Sequence, residues 1–157
     1  LFKCEQVLRS DCNRGVSGID GSTSTAAGAA CVGEEMTVLI TGDMSFSYDV
    51  NGLSSTYLSP RFKIIVMCNG GGGIFRFIKP TSDLPELETC FEIHRDISVE
   101  KYADLFGLRY FELNDEKSAA EVLSLFFAEK DRPAILAVHT PNVYNAEVLR
   151  GYFRRSR

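Results

Sequence analysis

Asp43 and Asn69 stand 26 positions apart, each at the end of a β-branched apolar run, "TVLITGD" (Thr37 to Asp43) and "FKIIVMCN" (Phe62 to Asn69). A carboxylate and a side-chain amide oxygen are hard donors. Four consecutive glycines, Gly70 to Gly73, follow Asn69 within "MCNGGGGIFRF" and can add backbone carbonyls. Such a donor set suits Mg²⁺ or Mn²⁺, which take few protein ligands and fill an octahedron with phosphate and water oxygens. A glycine run also lets bare backbone approach a diphosphate, while Ile74 and Phe75 return to an apolar wall. The structural alternative is a glycine turn flanked by an Asp and an Asn that only cap loops.

The elements that must position these groups follow the pattern of βαβ units, short apolar runs alternating with stretches of helical period. Both runs are nearly continuous in apolarity, as in parallel strands covered on both faces. Their separation leaves room for one crossover, with a helix predicted within Phe46 to Tyr57 and stopped by Pro60. In an open parallel sheet, ligands bind outside the carboxyl ends of the strands, where Asp43 and Asn69 sit. Ser98 is predicted to cap a helix "VEKYADLF" that ends at Gly107, and a strand "LRYFEL" follows. Asn114 or Asp115 then caps "EKSAAEVLSLFFAEK", Pro133 introduces a strand "AILAVHT", and Asn145 leads into a last helix, "AEVLRGYF". Lys79 to Arg95 lacks a clean period and reads as a loop over one edge. The fold class expected is α/β, a three-layer parallel sheet with helices on both faces.

The 157 residues are the length of one domain, and residues 1–157 are read as a single domain cut from a longer chain, since Leu1 is not an initiator Met. An apolar fraction of 45% with 24% charged residues is that of a globular protein, and no apolar run approaches the ~20 residues of a membrane helix. A net charge of −4 argues against a general nucleic-acid surface. The one basic cluster, Arg150, Arg154, Arg155 and Arg157, reads as a solvated helix end. Cys4, Cys12, Cys31, Cys68 and Cys90 are odd in number and contain no CxxC pair, so a reducing cytoplasm is expected, with neither a disulfide framework nor a zinc site.

A second segment adds to the site. "NRGVSGIDGSTSTAAGAA", Asn13 to Ala30, is a Gly- and Ser-rich turn leading into a helix of very small residues. Together with "ITGDMSFSYDVNGL" and "CNGGGGIFRF", it resembles the cofactor half of the thiamine diphosphate synthases that make 2-succinyl-5-enolpyruvyl-6-hydroxy-3-cyclohexene-1-carboxylate in menaquinone biosynthesis. The three blocks come in the family's order and spacing. The wider thiamine diphosphate superfamily carries Gly-Asp-Gly and, one crossover later, Asn-Asn; here these read Gly42-Asp43-Met44 and Cys68-Asn69. The third glycine, here Met44, is commonly replaced in the synthases, and Cys68 replaces the asparagine that does not bind metal.

The resemblance implies thiamine diphosphate as cofactor. Asp43, Asn69 and the carbonyl of Gly71 would hold Mg²⁺ or Mn²⁺, and Ser45 with neighbouring amides would bind the diphosphate beside Gly72. Ile19 would be an apolar wedge beneath the bent cofactor, a stiff prop because it is β-branched. The Ser17 carbonyl and the Ile19 amide would bond the aminopyrimidine. Arg14 would take a substrate carboxylate, as a planar guanidinium does well. Ile74, Phe75 and Ile78 would line the reaction pocket. Arg76 is open between an anion contact and a solvated loop charge. His94 and His139 are expected to be structural, and Tyr48 and Asp49 to be residues of the crossover helix.

The reaction so implied is decarboxylation of 2-oxoglutarate and addition of the succinyl unit to isochorismate, catalysed by a dimer or tetramer. The glutamate that activates the cofactor lies in a separate domain in this family, so the 157 residues alone are expected to be inactive. A face that packs on such a domain is expected to be unusually apolar. Two rival readings stand beside this one: a carboligase or decarboxylase of the acetolactate synthase kind, and a non-catalytic assembly module.

Overall fold

The two runs that end at Asp43 and Asn69 form neighbouring parallel strands. They are β1 (Thr37–Gly42) and β2 (Phe62–Cys68), with Gly42 opposite Met67. The computed structural model describes residues 9–13, 15 and 18–155. In it, β3 (Arg109–Leu113) and β4 (Ala134–His139) complete an all-parallel sheet in the order β1-β2-β4-β3. All four carboxyl ends therefore open on one rim.

Side chains alternate between the two faces of each strand. On the first face Phe62, Ile64 and Val66 of β2 and Ile135 and Ala137 of β4 are buried. Ala27 and Ala30 of α1 (Ser22–Val32), Phe46 of α2 (Asp43–Tyr48) and Val99 and Ala103 of a later helix pack on them. On the second face Ala134 and Leu136 meet Phe126, with Phe111 and Ile65 alongside. The expected three-layer α/β fold is what forms. Val38 and Ile40 of the edge strand β1, on the second face, remain 41% and 68% exposed. No helix among the described residues is long and apolar enough to cross a membrane.

The small residues of α1 have a packing reason. Thr23, Ala27 and Ala30 recur at helical spacing on its buried side. The first turn of α1 is held from outside: Ser24 donates its backbone N–H (2.7 Å) and its hydroxyl (2.6 Å) to the Asp49 carboxylate. A Cβ at Gly52 would lie 2.7 Å from the Ser24 Cα, so α1 seats directly on the crossover backbone.

That contact explains the first departure from expectation. The crossover is not one helix over Phe46 to Tyr57 but the short α2 and a 3₁₀ turn, Val50–Ser54. Asp49, at the break between them, is an anchor and not a helix-face residue. The second departure is Lys79 to Arg95, which is not simple loop. After the glycines come α3 (Gly73–Phe77) and α4 (Lys79–Ser82), then a π-helical turn, Leu87–Glu92.

Elsewhere the capping signals act as read. Ser98 accepts from the Lys101 N–H at the start of α5 (Val99–Phe106), and Gly107 closes it at φ 68°. Asp115 accepts from Lys117 and Ser118, giving a 3₁₀ turn (Glu116–Ser118) before α6 (Ala119–Ala128). The last helix, α7 (Asn142–Arg155), begins three residues before Asn145, directly after Pro141. Asn145 lies inside it, and its side-chain amide donates to the Thr140 hydroxyl at 2.8 Å.

Candidate functional site

Asp43 is the first residue of α2, directly after β1, and is 3% exposed. Its carboxylate accepts three backbone N–H bonds: from Met44 (2.7 Å) on one oxygen, and from Asn69 (3.1 Å) and Gly70 (2.7 Å) on the other. The convergence predicted from strand ends is thus a direct contact. Among the described residues no cationic side chain forms an ion pair with Asp43. A carboxylate offers about four acceptor positions, so one remains beyond the three amides.

Asn69 turns its side-chain oxygen toward the Gly71 N–H at 3.4 Å. The carbonyl of Gly71 accepts from the Gly73 N–H at 2.9 Å, and a carbonyl has a second lone pair. Carboxylate, amide oxygen and carbonyl together form an all-oxygen donor set with spare acceptor capacity. This donor set fits a hard divalent cation.

What comes close to the glycines is, in the first instance, this chain's own segment Phe91 to His94. A Cβ at Gly70 would lie 2.5 Å from the His94 ring, and one at Gly71 would lie 2.5 Å from the Glu92 carbonyl oxygen. Gly72 donates its N–H to that same carbonyl at 2.8 Å, so it contributes bareness to the loop and not a free donor. Gly70 and Gly71 have φ of 81° and 156°, which a side chain would oppose.

Ser45, on α2, donates its hydroxyl to the Ile19 carbonyl at 2.7 Å, bringing together two expected cofactor contacts from distant blocks. Ile19 is 46% exposed. Ile74 and Ile78, one turn apart at α3, are 62% and 40% exposed. Phe75 differs from them, since its ring packs on Phe91 with centroids 5.6 Å apart. Arg14 and Ser17 lie outside the described residues.

Arg76 is neither a free anion contact nor a solvated charge. Its guanidinium holds Glu92 through Nε (2.8 Å) and Nη2 (2.5 Å) and Glu88 at 2.9 Å. Bonding to Glu92 first and Glu88 second raises its pKa above the ordinary value. Arg150 likewise donates to the Arg76 carbonyl at 2.5 Å, so the C-terminal basic cluster is in part a structural tie.

The rim encloses a cleft of about 380 Å³, lined among others by Asp43, Asn69, His94, Asn114, His139 and Thr140. Both histidines therefore face the same opening as Asp43. His139 ends β4, and its Nε2 lies 3.1 Å from Glu112. A sequence signal for it existed, because it ends its strand just as Asp43 and Asn69 follow theirs. Cys68, at the floor, has its thiol pushed up to about 11 by burial and by the nearby Asp43, so it is a poor nucleophile.

The strands and glycine run that carry this carboxylate match known proteins in sequence. The family pattern described as "Thiamine pyrophosphate enzyme, C-terminal TPP binding domain" covers residues 3–138. A 2-succinyl-5-enolpyruvyl-6-hydroxy-3-cyclohexene-1-carboxylate synthase of Porphyromonas gingivalis is 49% identical over 141 residues, 90% of this chain and 24% of its own. Synthases of the same name from Flavobacterium johnsoniae and Christiangramia forsetii are 45% and 40% identical, each across 98% of this chain and 28% and 26% of theirs. The chain thus spans about a quarter of the length of these relatives. With the pattern running through both strands and the glycine run, the chain belongs to the family of C-terminal, cofactor-binding domains of thiamine pyrophosphate enzymes.

Proposed function

We propose that this chain is the cofactor-binding part of a 2-succinyl-5-enolpyruvyl-6-hydroxy-3-cyclohexene-1-carboxylate synthase, acting on 2-oxoglutarate and isochorismate in menaquinone biosynthesis. Relatives of that name match nearly the whole chain. Residues 1–157 are a single domain in this reading. The observation that carries it is the buried Asp43 carboxylate, bound by the Asn69 and Gly70 amides and retaining an acceptor position at the rim.

Bound thiamine diphosphate supplies the ability to cleave and form bonds next to a carbonyl carbon. The protein's own residues bind, orient and shield. Asp43, the Asn69 amide oxygen and the Gly71 carbonyl hold Mg²⁺ or Mn²⁺, and Ser45 with neighbouring amides takes the diphosphate beside Gly72. Ile19 props the cofactor from below, with the Ser17 carbonyl and its own amide on the aminopyrimidine. Ile74, with Phe75 and Ile78, forms an apolar wall that excludes water. Arg14 orients a substrate carboxylate, a task for which a bidentate guanidinium suits two polyacidic substrates.

The working enzyme is a homo-oligomer, with the activating glutamate supplied from another domain. Exposed Val38 and Ile40 on an otherwise covered sheet suit packing against further protein. Cys12, Cys31, Cys68 and Cys90 are all unpaired, which suits a cytoplasmic site of action.

The test is calorimetric titration of thiamine diphosphate into the intact protein, with and without Mg²⁺, beside an Asp43→Ala variant. Metal-dependent binding that disappears in the variant is the expected result. Equal binding by the variant, or none by the parent, would overturn the assignment.

A further inference from the structure

We propose that Glu92 is a positioning residue for the glycine run: it fixes the direction of the Gly71 carbonyl through a half-buried latch to Arg76 and Asn142. The proposal rests on the reading that Asn69 and Gly71 hold the cation. Glu92 is 7% exposed and ends the π-helical turn Leu87–Glu92. Its carboxylate receives the Nε and Nη2 of Arg76 on α3 and the side-chain amide of Asn142, the first residue of α7. Its backbone carbonyl receives the Gly72 N–H at 2.8 Å. One residue therefore joins two helices through its side chain and the glycine loop through its main chain.

The attachment continues beyond it. Arg95 donates its N–H to the Gly70 carbonyl at 3.0 Å, so residues 92–95 form a strap bonded at both ends along Gly70 to Gly72. Between those bonds Ile93 adopts φ 43°, and it is the one non-glycine with positive φ among the described residues. A β-branched residue rarely takes this conformation, and it persists only where surrounding bonds impose it. The fork between buried Glu92 and half-buried Arg76 is the charge-assisted part of that constraint, and a bidentate guanidinium–carboxylate pair fixes orientation as well as distance. Without the fork the strap can leave the glycines, and the Gly71 carbonyl loses its aim. Such outer partners orient the groups that touch a metal, and their loss commonly weakens metal binding by about 10-fold to 100-fold.

The experiment uses the intact protein at saturating thiamine diphosphate and measures the Kd for Mg²⁺ by calorimetry. The variants are Glu92→Gln, Arg76→Lys and the two combined. Each single change is expected to raise the Kd about 10-fold or more. The double variant should be no more than about twofold beyond the weaker single, because both break the same fork. At saturating Mg²⁺, kcat should return to within about twofold of the parent, with the KM for 2-oxoglutarate unchanged.

Arg76→Lys keeps a cation beside Glu92, so it decides the matter if Glu92→Gln fails to fold. A Kd within twofold of the parent in the folded variants overturns the latch, whether or not Tm falls. Fully additive losses overturn it as well. A parent protein that takes up no Mg²⁺ with thiamine diphosphate overturns the cofactor reading itself, and the latch with it.

Discussion

Two glycines should respond to alanine with opposite signs, and the structure supplies both magnitudes. At Gly71 the added Cβ lies 2.5 Å from the Glu92 carbonyl oxygen, about 1 Å inside an ordinary contact. Retreat of the strap by that distance breaks the Gly72 to Glu92 bond of 2.8 Å, worth about 0.5–1.5 kcal/mol. Holding a side chain at φ 156° adds strain on the order of 1–3 kcal/mol. Gly71→Ala should therefore destabilise by about 1.5–4.5 kcal/mol.

At Gly28, inside α1, the added Cβ meets nothing within 4 Å. There alanine should stabilise by about 0.5–1 kcal/mol through helix propensity alone. Equilibrium urea denaturation followed by circular dichroism measures both, provided the m-value is unchanged. A Gly71→Ala variant as stable as the parent would refute the account of the glycine run as a close-packed seat for the strap. A destabilised Gly28→Ala would refute the account of α1 packing.

Two further outcomes follow from the same geometry. Asp49→Ala removes two bonds to Ser24 at the first turn of α1 and should cost about 1–2 kcal/mol by the same denaturation assay; Asp49→Asn, which keeps one acceptor, should cost less. Lys63, 1% exposed, donates to the Glu129 carbonyl at 2.7 Å, and burial, partly opposed by the Glu129 charge, holds its pKa below 10.5. In the window just below 10.5 unfolded Lys63 binds more protons than folded Lys63, so this one group's contribution to stability rises with pH there, against the falling contributions of Cys68 and Tyr110, whose pKa values burial raises. Lys63→Met should remove that rising contribution and make the slope of stability against pH more negative than the parent's, and an unchanged slope in denaturation midpoints between about pH 9 and 10.5 would show that the lysine is not desolvated as described.

Much of the scaffold was readable without coordinates because it depends on local rules. Continuous apolar runs marked β1 and β2, and capping at Ser98, Gly107 and Asp115 acts through bonds a few residues long. The crossover reads as one helix in sequence because what interrupts it, the seat of Ser24 on Gly52 and Asp49, comes from a segment some 25 positions away. The sequence leaves Arg76 open for the same reason, since its partner Glu92 lies 16 positions on, in a stretch with no helical or strand period.

Residue type and spacing alone determined that oxygen donors and bare backbone would meet at the ends of parallel strands, because strand ends and side-chain chemistry are local properties. Only the tertiary structure decided the strand order β1-β2-β4-β3, which brings His139 and Asn114 to the same cleft as Asp43. It also decided what the four glycines admit. A missing side chain records that something approaches the backbone, but the identity of that neighbour, here the strap from Phe91 to His94, depends on long-range packing.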